Sequence, residues 1–327
     1  QIKNYHKLTK KIKVIDRSSL ILDIFKKHAK TREAKTQVEL ALCQYLLPRL
    51  TRQWTHLERQ MGGVGTRSGM GETQIEVDRR LIRDKISKLK LDLNKIESER
   101  RIQSQNRVNQ FRVALVGYTN AGKSTLFNSL TGNNVYVKNQ LFATLDTTVR
   151  KLKLNKKHQV LISDTVGFIR KLPHNLVASF KSTLKEVLEA NHVLIVLDAS
   201  SIIIDEHLET ISQVLNKLGA SEIPKSYIFN KIDLIENEID LKKLKSNYSN
   251  AILTSALHHL RLDDVKDHLI EKIEDDFNVF DLNISYEQGK ILSQIQNQAE
   301  ILDTDYGDKS IKLKIRGKED SIKRLFK

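Results

Sequence analysis

Apolar positions along the chain fall into three regimes. In the first, Leu47, Leu50, Trp54, Leu57 and Met61 recur at spacings of 3, 4, 3 and 4, and Ile82, Ile86, Leu89, Leu93 and Ile96 at 4, 3, 4 and 3. Each series puts one apolar stripe on a charged helix, so the pattern predicts two long helices with heptad-like seams, over residues 37–61 and from 75 onward. The break between them is short, and an antiparallel helical hairpin is the simplest arrangement. Pro48, which lacks an amide hydrogen, predicts a kink in the first helix. Ahead of it, Ile12, Val14, Ile15, Leu20, Ile21, Leu22 and Ile24 read as a strand and a short helix over residues 12–25. These look like the end of a small α/β unit whose beginning is not in the chain.

In the second regime, residues 111–275, short apolar strands alternate with amphipathic helices. Strands are expected at Phe111–Val116, Val149–Leu154, Gln159–Ser163, Val193–Leu197, Ser226–Phe229 and Ile252–Thr254, the second and third pairing as a hairpin. One helix opens at Ser124–Leu130; others are expected near 176–190, 205–218, 238–246 and 263–274. That alternation predicts a mostly parallel sheet covered on both faces. In the third regime, Ser310–Arg316 alternates Ile311, Leu313 and Ile315 with Lys312, Lys314 and Arg316, a half-exposed strand. The fold expected is α/β, in three parts. A basic N-terminal domain (1–110) combines a partial α/β unit and the helical hairpin, a nucleotide-binding domain follows (111–276), and a small α/β tail closes the chain (277–327).

Composition sharpens this. The 327 residues are 39% hydrophobic and carry a net charge of +15. Residues 1–112 hold 26 Lys and Arg against 12 Asp and Glu, while residues 113–327 hold 29 against 28. A biased genome would colour the whole chain. Positive charge gathered on one third is the footprint of a nucleic-acid binder. An anionic membrane surface fits less well, since no compact polybasic amphipathic helix with aromatics is present. No run of 18 apolar residues spans a membrane. The one cysteine, Cys43, excludes an internal disulfide and suits a reducing compartment, so a cytoplasmic protein is expected, with ribosome or peripheral membrane association left open. Cys43 is read as a small core hydrophobe. A monomer is expected. The chain begins at Gln1, which leaves room for an upstream or removed segment.

The chemistry is concentrated in four segments. Gly117, Tyr118, Thr119, Asn120, Ala121, Gly122, Lys123 and Ser124, with Thr125 behind them, have the spacing of a phosphate-binding loop and lie between a strand and a helix. Glycine backbone amides and the helix N-terminus cradle phosphates, Lys123 adds a point charge, and the Ser124 hydroxyl is placed to ligate Mg²⁺. Asp164, Thr165, Val166 and Gly167 end the next parallel strand; Asp164 is expected behind the Mg²⁺ and the Gly167 amide at the terminal phosphate. Asn230, Lys231 and Asp233 follow another strand, and the Asp233 carboxylate can accept from both N1–H and the exocyclic amine of guanine, a donor pair adenine lacks. Ser255 and Ala256 supply backbone to the guanine carbonyl. Thr144, Thr147 and Thr148 are all candidates for the switch threonine that reaches Mg²⁺ and releases it after hydrolysis. His258 and His259 are read as surface loop.

The break in the hairpin, residues 62–73, holds Gly62, Gly63, Gly65, Gly69 and Gly71, five of the chain's 13 glycines. A helix–helix turn needs only about two to five residues, so a side-chain-poor tip that lets backbone amides and Arg67 approach RNA is favoured over a plain turn.

Together these segments resemble the HflX family of ribosome-associated GTPases, in the larger group that also holds Obg. The resemblance rests on the glycine tip from Gly62 through Thr66, Arg67 and Gln74, on Asp78, Arg79 and Arg80, and on Phe142, Ala143, Thr144, Leu145 and Asp146 after the phosphate loop. It covers residues from about 14 to the end. It implies that Thr144 is the switch threonine on Mg²⁺. It also implies that the N-terminal domain enters the large ribosomal subunit, with Gly62, Gly63, Gly65, Thr66, Arg67, Gly69, Gly71, Arg79 and Arg80 near ribosomal RNA, and that the protein splits stalled or idle ribosomes. The family's N-terminal domain is longer, so the chain looks truncated. Phe168 stands where a Ras-like site has its water-orienting glutamine, predicting slow intrinsic hydrolysis. Asn120 resembles the asparagine by which related GTPases bind K⁺. A ribosome-assembly or translation-regulating GTPase that splits nothing is the nearest rival. A metabolic P-loop ATPase or kinase is opposed by Asp233, and a helicase by the single switch domain.

Overall fold

The computed structural model describes residues 14–50, 74–104, 110–132, 142, 144–170, 184–248, 251–275, 277–285, 288, 291, 292, 294, 295, 299–307, 310–318 and 322. They fall into two units, one within 1–153 and 159–262, the other within 154–158 and 263–327.

Near the N-terminus the chain is helical. Helix α1 is Arg17–His28 and α2 is Arg32–Leu46. Asp16 accepts from the Ser19 N–H at 2.8 Å and caps α1, so Leu20–Ile24 belong to a helix that starts at Arg17. Val14 and Ile15 are not in a strand, and residues 12 and 13 lie outside the described ones. The local aliphatic run suits either state; the cap decides for helix. Thr31 caps α2 through the Ala34 N–H. The α-helical hydrogen bonding stops at Leu46, and a 3-10 turn, Leu47–Arg49, carries Pro48. Helix α3, Gln74–Ser104, is long and charged, as its heptads predict. Its Ile82, Ile86, Leu89 and Leu93 pack against Leu40, Cys43 and Leu47. The seam of the first helix thus reaches back to Leu40 with the same alternation of 3 and 4. Lys85 and Glu39 close over it at 2.6 Å.

The nucleotide-binding part is a six-stranded sheet among the described residues, in the order β2-β3-β1-β4-β5-β6. The strands are β1 Phe111–Gly117, β2 Thr148–Lys153, β3 Gln159–Asp164, β4 His192–Asp198, β5 Lys225–Asn230 and β6 Ile252–Leu253. Only the β2–β3 hairpin is antiparallel; β3, β1, β4, β5 and β6 are parallel neighbours. Strand β1 (FRVALVG) and β4 (HVLIVLD) are buried almost throughout, because helices cover both faces. Helix α4, Lys123–Thr131, packs on β1, β2 and β3. Helix α5, Lys185–Leu188, is shorter than the 176–190 expected; residues 171–183 lie outside the described ones. Helix α6, Ile204–Leu218, buries Ile211, Val214 and Leu215 in a core shared with Val116, Val193, Ile195, Leu197 and Phe229. Helix α7 is Glu238–Asn247. The parallel order brings Gly117, Asp164, Asp198 and Asn230 to one sheet edge, where open α/β sheets bind ligands.

The second unit contains most of α8, Leu262–Glu274, and an antiparallel sheet in the order β7-β9-β8: β7 Phe277–Ser285, β8 Glu300–Tyr306 and β9 Ser310–Lys318. Ile311, Leu313 and Ile315 are buried with Ile284, Ile295 and Ile322, and Lys312 and Lys314 face solvent, as the period of two requires.

Candidate functional site

The phosphate loop leaves β1 at Gly117 and enters α4 at Lys123. Its path depends on missing side chains. A Cβ on Gly117 would meet the Val196 carbonyl oxygen at 2.2 Å. Gly122, at φ 90°, would press one onto Asn230 Nδ2 at 2.1 Å. Asn120 also sits at positive φ, 65°. Lys123 is 6% exposed and donates to the carbonyls of Gly117 at 3.2 Å and Tyr118 at 3.0 Å. Burial pushes its pKa down to about 8, while Asp164 pulls the other way. Burial likewise raises the Asp164 carboxyl, opposed by Lys123 and by the Ser124 and Thr144 hydroxyls. Each ion has exchanged water for a single opposite partner, the situation an incoming phosphate and cation would relieve.

Three oxygens converge beside Lys123. The Ser124 hydroxyl lies 2.6 Å from Thr144 Oγ1 and donates to Asp164 Oδ2 at 2.6 Å. Asp164 Oδ1 is buried with no hydrogen-bond partner among the described residues. An orphaned carboxylate oxygen beside two hydroxyls suits a small hard cation, so the residues fit Mg²⁺. Of the candidate threonines, Thr144 is brought to Ser124, and Thr148 begins β2.

Switch II lies against the phosphate loop. Phe168 N–H donates to Gly117 O at 3.0 Å, and Thr119 N–H donates to Phe168 O at 2.9 Å. The Phe168 ring is buried in the core beneath, with Leu184 and Val187, so it offers no group to a water. Thr165 Oγ1 donates to Leu115 O at 2.6 Å.

At the other end, Asn230 Nδ2 donates to Ala121 O at 3.0 Å and Asn230 Oδ1 accepts from Ala256 N–H at 2.9 Å. One side chain thereby ties the phosphate loop to the loop after β6. Asp233 lies in a 3-10 turn, Ile232–Leu234, just after Lys231. The exposed His258 brings Nε2 to 3.6 Å from its carboxylate, and Ser255 is buried.

Segment 142–146 is held by the N-terminal helices. Asp146 accepts from the Thr31 hydroxyl, from Lys30 N–H at 3.2 Å and from Thr31 N–H at 3.3 Å. Phe142 and Phe25 meet edge to face at 4.7 Å. Phe142, Leu145, Val166 and Ile169 share a core with Ile21, Leu22, Phe25, Ala34 and Val38. Arg17 Nη2 also donates to Arg170 O at 2.6 Å. Sequence reasoning missed Phe25, Thr31 and Asp198. Asp198 did carry a signal, a carboxylate ending a parallel strand at the ligand-binding edge. Arg79 and Arg80 lie on α3; Gly62, Gly63, Gly65, Thr66, Arg67, Gly69, Gly71 and Ala143 lie outside the described residues.

Residues 28–107 match a family model described as the GTP-binding GTPase middle region, and residues 112–231 one described as a 50S ribosome-binding GTPase. The chain is 44% identical over 305 residues to GTPase HflX of Caldanaerobacter subterraneus subsp. tengcongensis, an alignment spanning 93% of this chain and 70% of that protein. It is 42% identical over 309 residues to GTPase HflX of Escherichia coli, spanning 93% and 72%. Among solved structures it is similar to SsGBP in complex with GDP, at 28% identity and TM-score 0.51, spanning 83% of this chain and 76% of that one.

Proposed function

The chain belongs to the HflX family of GTPases, and on that premise we propose that GTP binding governs whether its basic N-terminal domain, residues 1–110, engages the large ribosomal subunit. Family and fold make it a GTP hydrolase with a P-loop GTPase domain, and P-loop GTPases generally use Mg²⁺. Among the described residues no helix is long and apolar enough to cross a membrane.

The observation that carries the proposal is the joint between segment 142–146 and helices α1 and α2. Asp146 lies two residues from Thr144, and its carboxylate accepts from the Lys30 and Thr31 amides, where the chain enters α2. Any movement of Thr144 toward or away from the phosphates is therefore felt at the helices. The chain's own residues perform the following work. Lys123 exchanges the Gly117 and Tyr118 carbonyls for phosphate oxygens. Gly167 N–H, held beside Thr119 and Lys123, meets the terminal phosphate. Asp233 accepts from the guanine edge, with Ser255 and Ala256 behind the carbonyl. Ser124, Thr144 and Asp164 would hold Mg²⁺, whose charge neutralises the phosphates.

Positive charge on residues 1–112 gives salt-dependent affinity for RNA phosphates, and the glycine tip gives position. Binding there opposes subunit joining, so the GTP form separates stalled or idle ribosomes and hydrolysis resets the protein. With Phe168 buried, hydrolysis draws its missing help from the ribosome or from K⁺ near Asn120.

Sedimentation with large ribosomal subunits tests the reading. Co-sedimentation is expected with a GTP analogue and weaker binding with GDP; equal binding in both states overturns it. Light scattering of intact ribosomes separates splitting from mere binding, since only splitting gives a GTP-dependent drop. Turnover is expected to be faster in KCl than in NaCl and faster still with large subunits. Equal rates in all four conditions remove both activators.

A further inference from the structure

We infer that Asp198 is a positioning residue for the guanine nucleotide, acting through Lys231; the inference rests on the reading that Asp233 recognises the base. Asp198 ends β4 and is the register partner of Asn230 at the end of β5, and Ala199 N–H donates to Asn230 O at 2.8 Å. The carboxylate is oriented before any ligand arrives. Its Oδ1 accepts from Ser200 N–H at 3.0 Å and from the Ser200 hydroxyl at 2.6 Å. That leaves Oδ2 to take the Lys231 ammonium at 2.6 Å.

Lys231 needs such a partner. Its backbone sits at φ 65°, a left-handed conformation that non-glycine residues rarely adopt. The residue joins β5 to the turn that carries Asp233, so its geometry sets where that carboxylate points. A Cβ on Gly122 would lie 4.0 Å from Lys231 Cε, which places the lysine stem alongside the last glycine of the phosphate loop. With its ammonium on Asp198, Lys231 offers the methylene stem to the flat face of a purine. A free lysine would have to lose its rotamer freedom on binding; this one has lost it already.

Immobilising one such side chain on binding costs about 0.5–1.5 kcal/mol, so Asp198→Ala should weaken GDP binding by about two- to twelvefold. Titration calorimetry on the full chain measures this. The KM for GTP should rise by the same factor while kcat stays within about twofold, because Asp198 acts through Lys231 on the base and not on the groups around Lys123. Asp198→Asn, which keeps the Ser200 bonds and loses the charge, should fall between. In a Lys231→Met background, Asp198→Ala should add less than about twofold, and the melting temperature without nucleotide should be unchanged. Unchanged GDP affinity, or a full loss persisting in Lys231→Met, overturns the inference. A kcat loss matching the KM change, or a lowered nucleotide-free melting temperature, overturns it in favour of simple structural damage. Asp233→Asn in the parent chain separates this from failure of the underlying reading. If that variant still prefers guanine over adenine nucleotides, the reading of Asp233 fails; if it loses the preference while Asp198 variants bind normally, only the role of Asp198 fails.

Discussion

Gly167 has no room for a side chain: a Cβ there would stand 2.8 Å from Thr119 Cα and 3.0 Å from Lys123 Nζ. Alanine at this position must push the switch II backbone off the phosphate loop, and with it the amide proposed to meet the terminal phosphate. Losing one such donor costs about a hundredfold in kcat, so Gly167→Ala is expected to lower GTP turnover by that order. GDP, which lacks the terminal phosphate, should bind nearly as before. A turnover within about threefold of the parent would refute this placement. His207 offers a pH test at the same scale. It stacks on Tyr118 at 3.9 Å, and burial lowers its pKa below 6.5, with Asp198 and Glu206 pulling upward and Arg170 downward. The folded protein therefore binds this proton less readily than the unfolded chain. Stability from this group is present above pH 6.5 and is lost as pH falls from 6.5 through the depressed value. His207→Gln should flatten the fall in melting temperature between pH 7 and pH 5.5.

The elements proposed to carry the signal are α1 and α2, which share a core with Phe142, Leu145, Val166 and Ile169. Phe25 is 1% exposed and anchors Phe142. Truncating a buried phenylalanine costs about 3–5 kcal/mol, so Phe25→Ala should lower stability markedly in chemical denaturation. Asp146→Ala is the gentler probe, removing the carboxylate from the α2 N-terminus and leaving the core intact. The parent is expected to show different amide exchange in α2 with a GTP analogue and with GDP. The variant should lose that difference while binding both nucleotides. Retention of the difference would show that the helices are coupled by another route. This joint was illegible in the sequence. Thr31 and Asp146 are 115 residues apart, and no local period connects a helix cap to a loop beyond a distant strand. The heptads of α2 and α3, by contrast, were readable, because each helix carries its own stripe.

Across the whole molecule the charge is divided, +14 over residues 1–112 and +1 over the rest. If the basic part meets RNA phosphates, apparent affinity for large subunits must fall linearly as salt rises on logarithmic axes, through counterion release. Replacing both Arg79 and Arg80 by alanine should reduce that slope by about one for each phosphate they neutralise. An unchanged slope with unchanged affinity would remove these arginines from the interface. The P-loop, the alternation that makes a parallel sheet and the half-exposed strand of the tail were all legible in the amino acids alone. Each is written in neighbouring residues, as a motif spacing or a hydrophobic period. Folding in three dimensions was needed to settle that Thr144 meets Ser124, that Asp146 holds Thr31, the cap of α2, and that Asp198 holds Lys231. Those pairs are made by strand order and register, which bring together residues that no local pattern links.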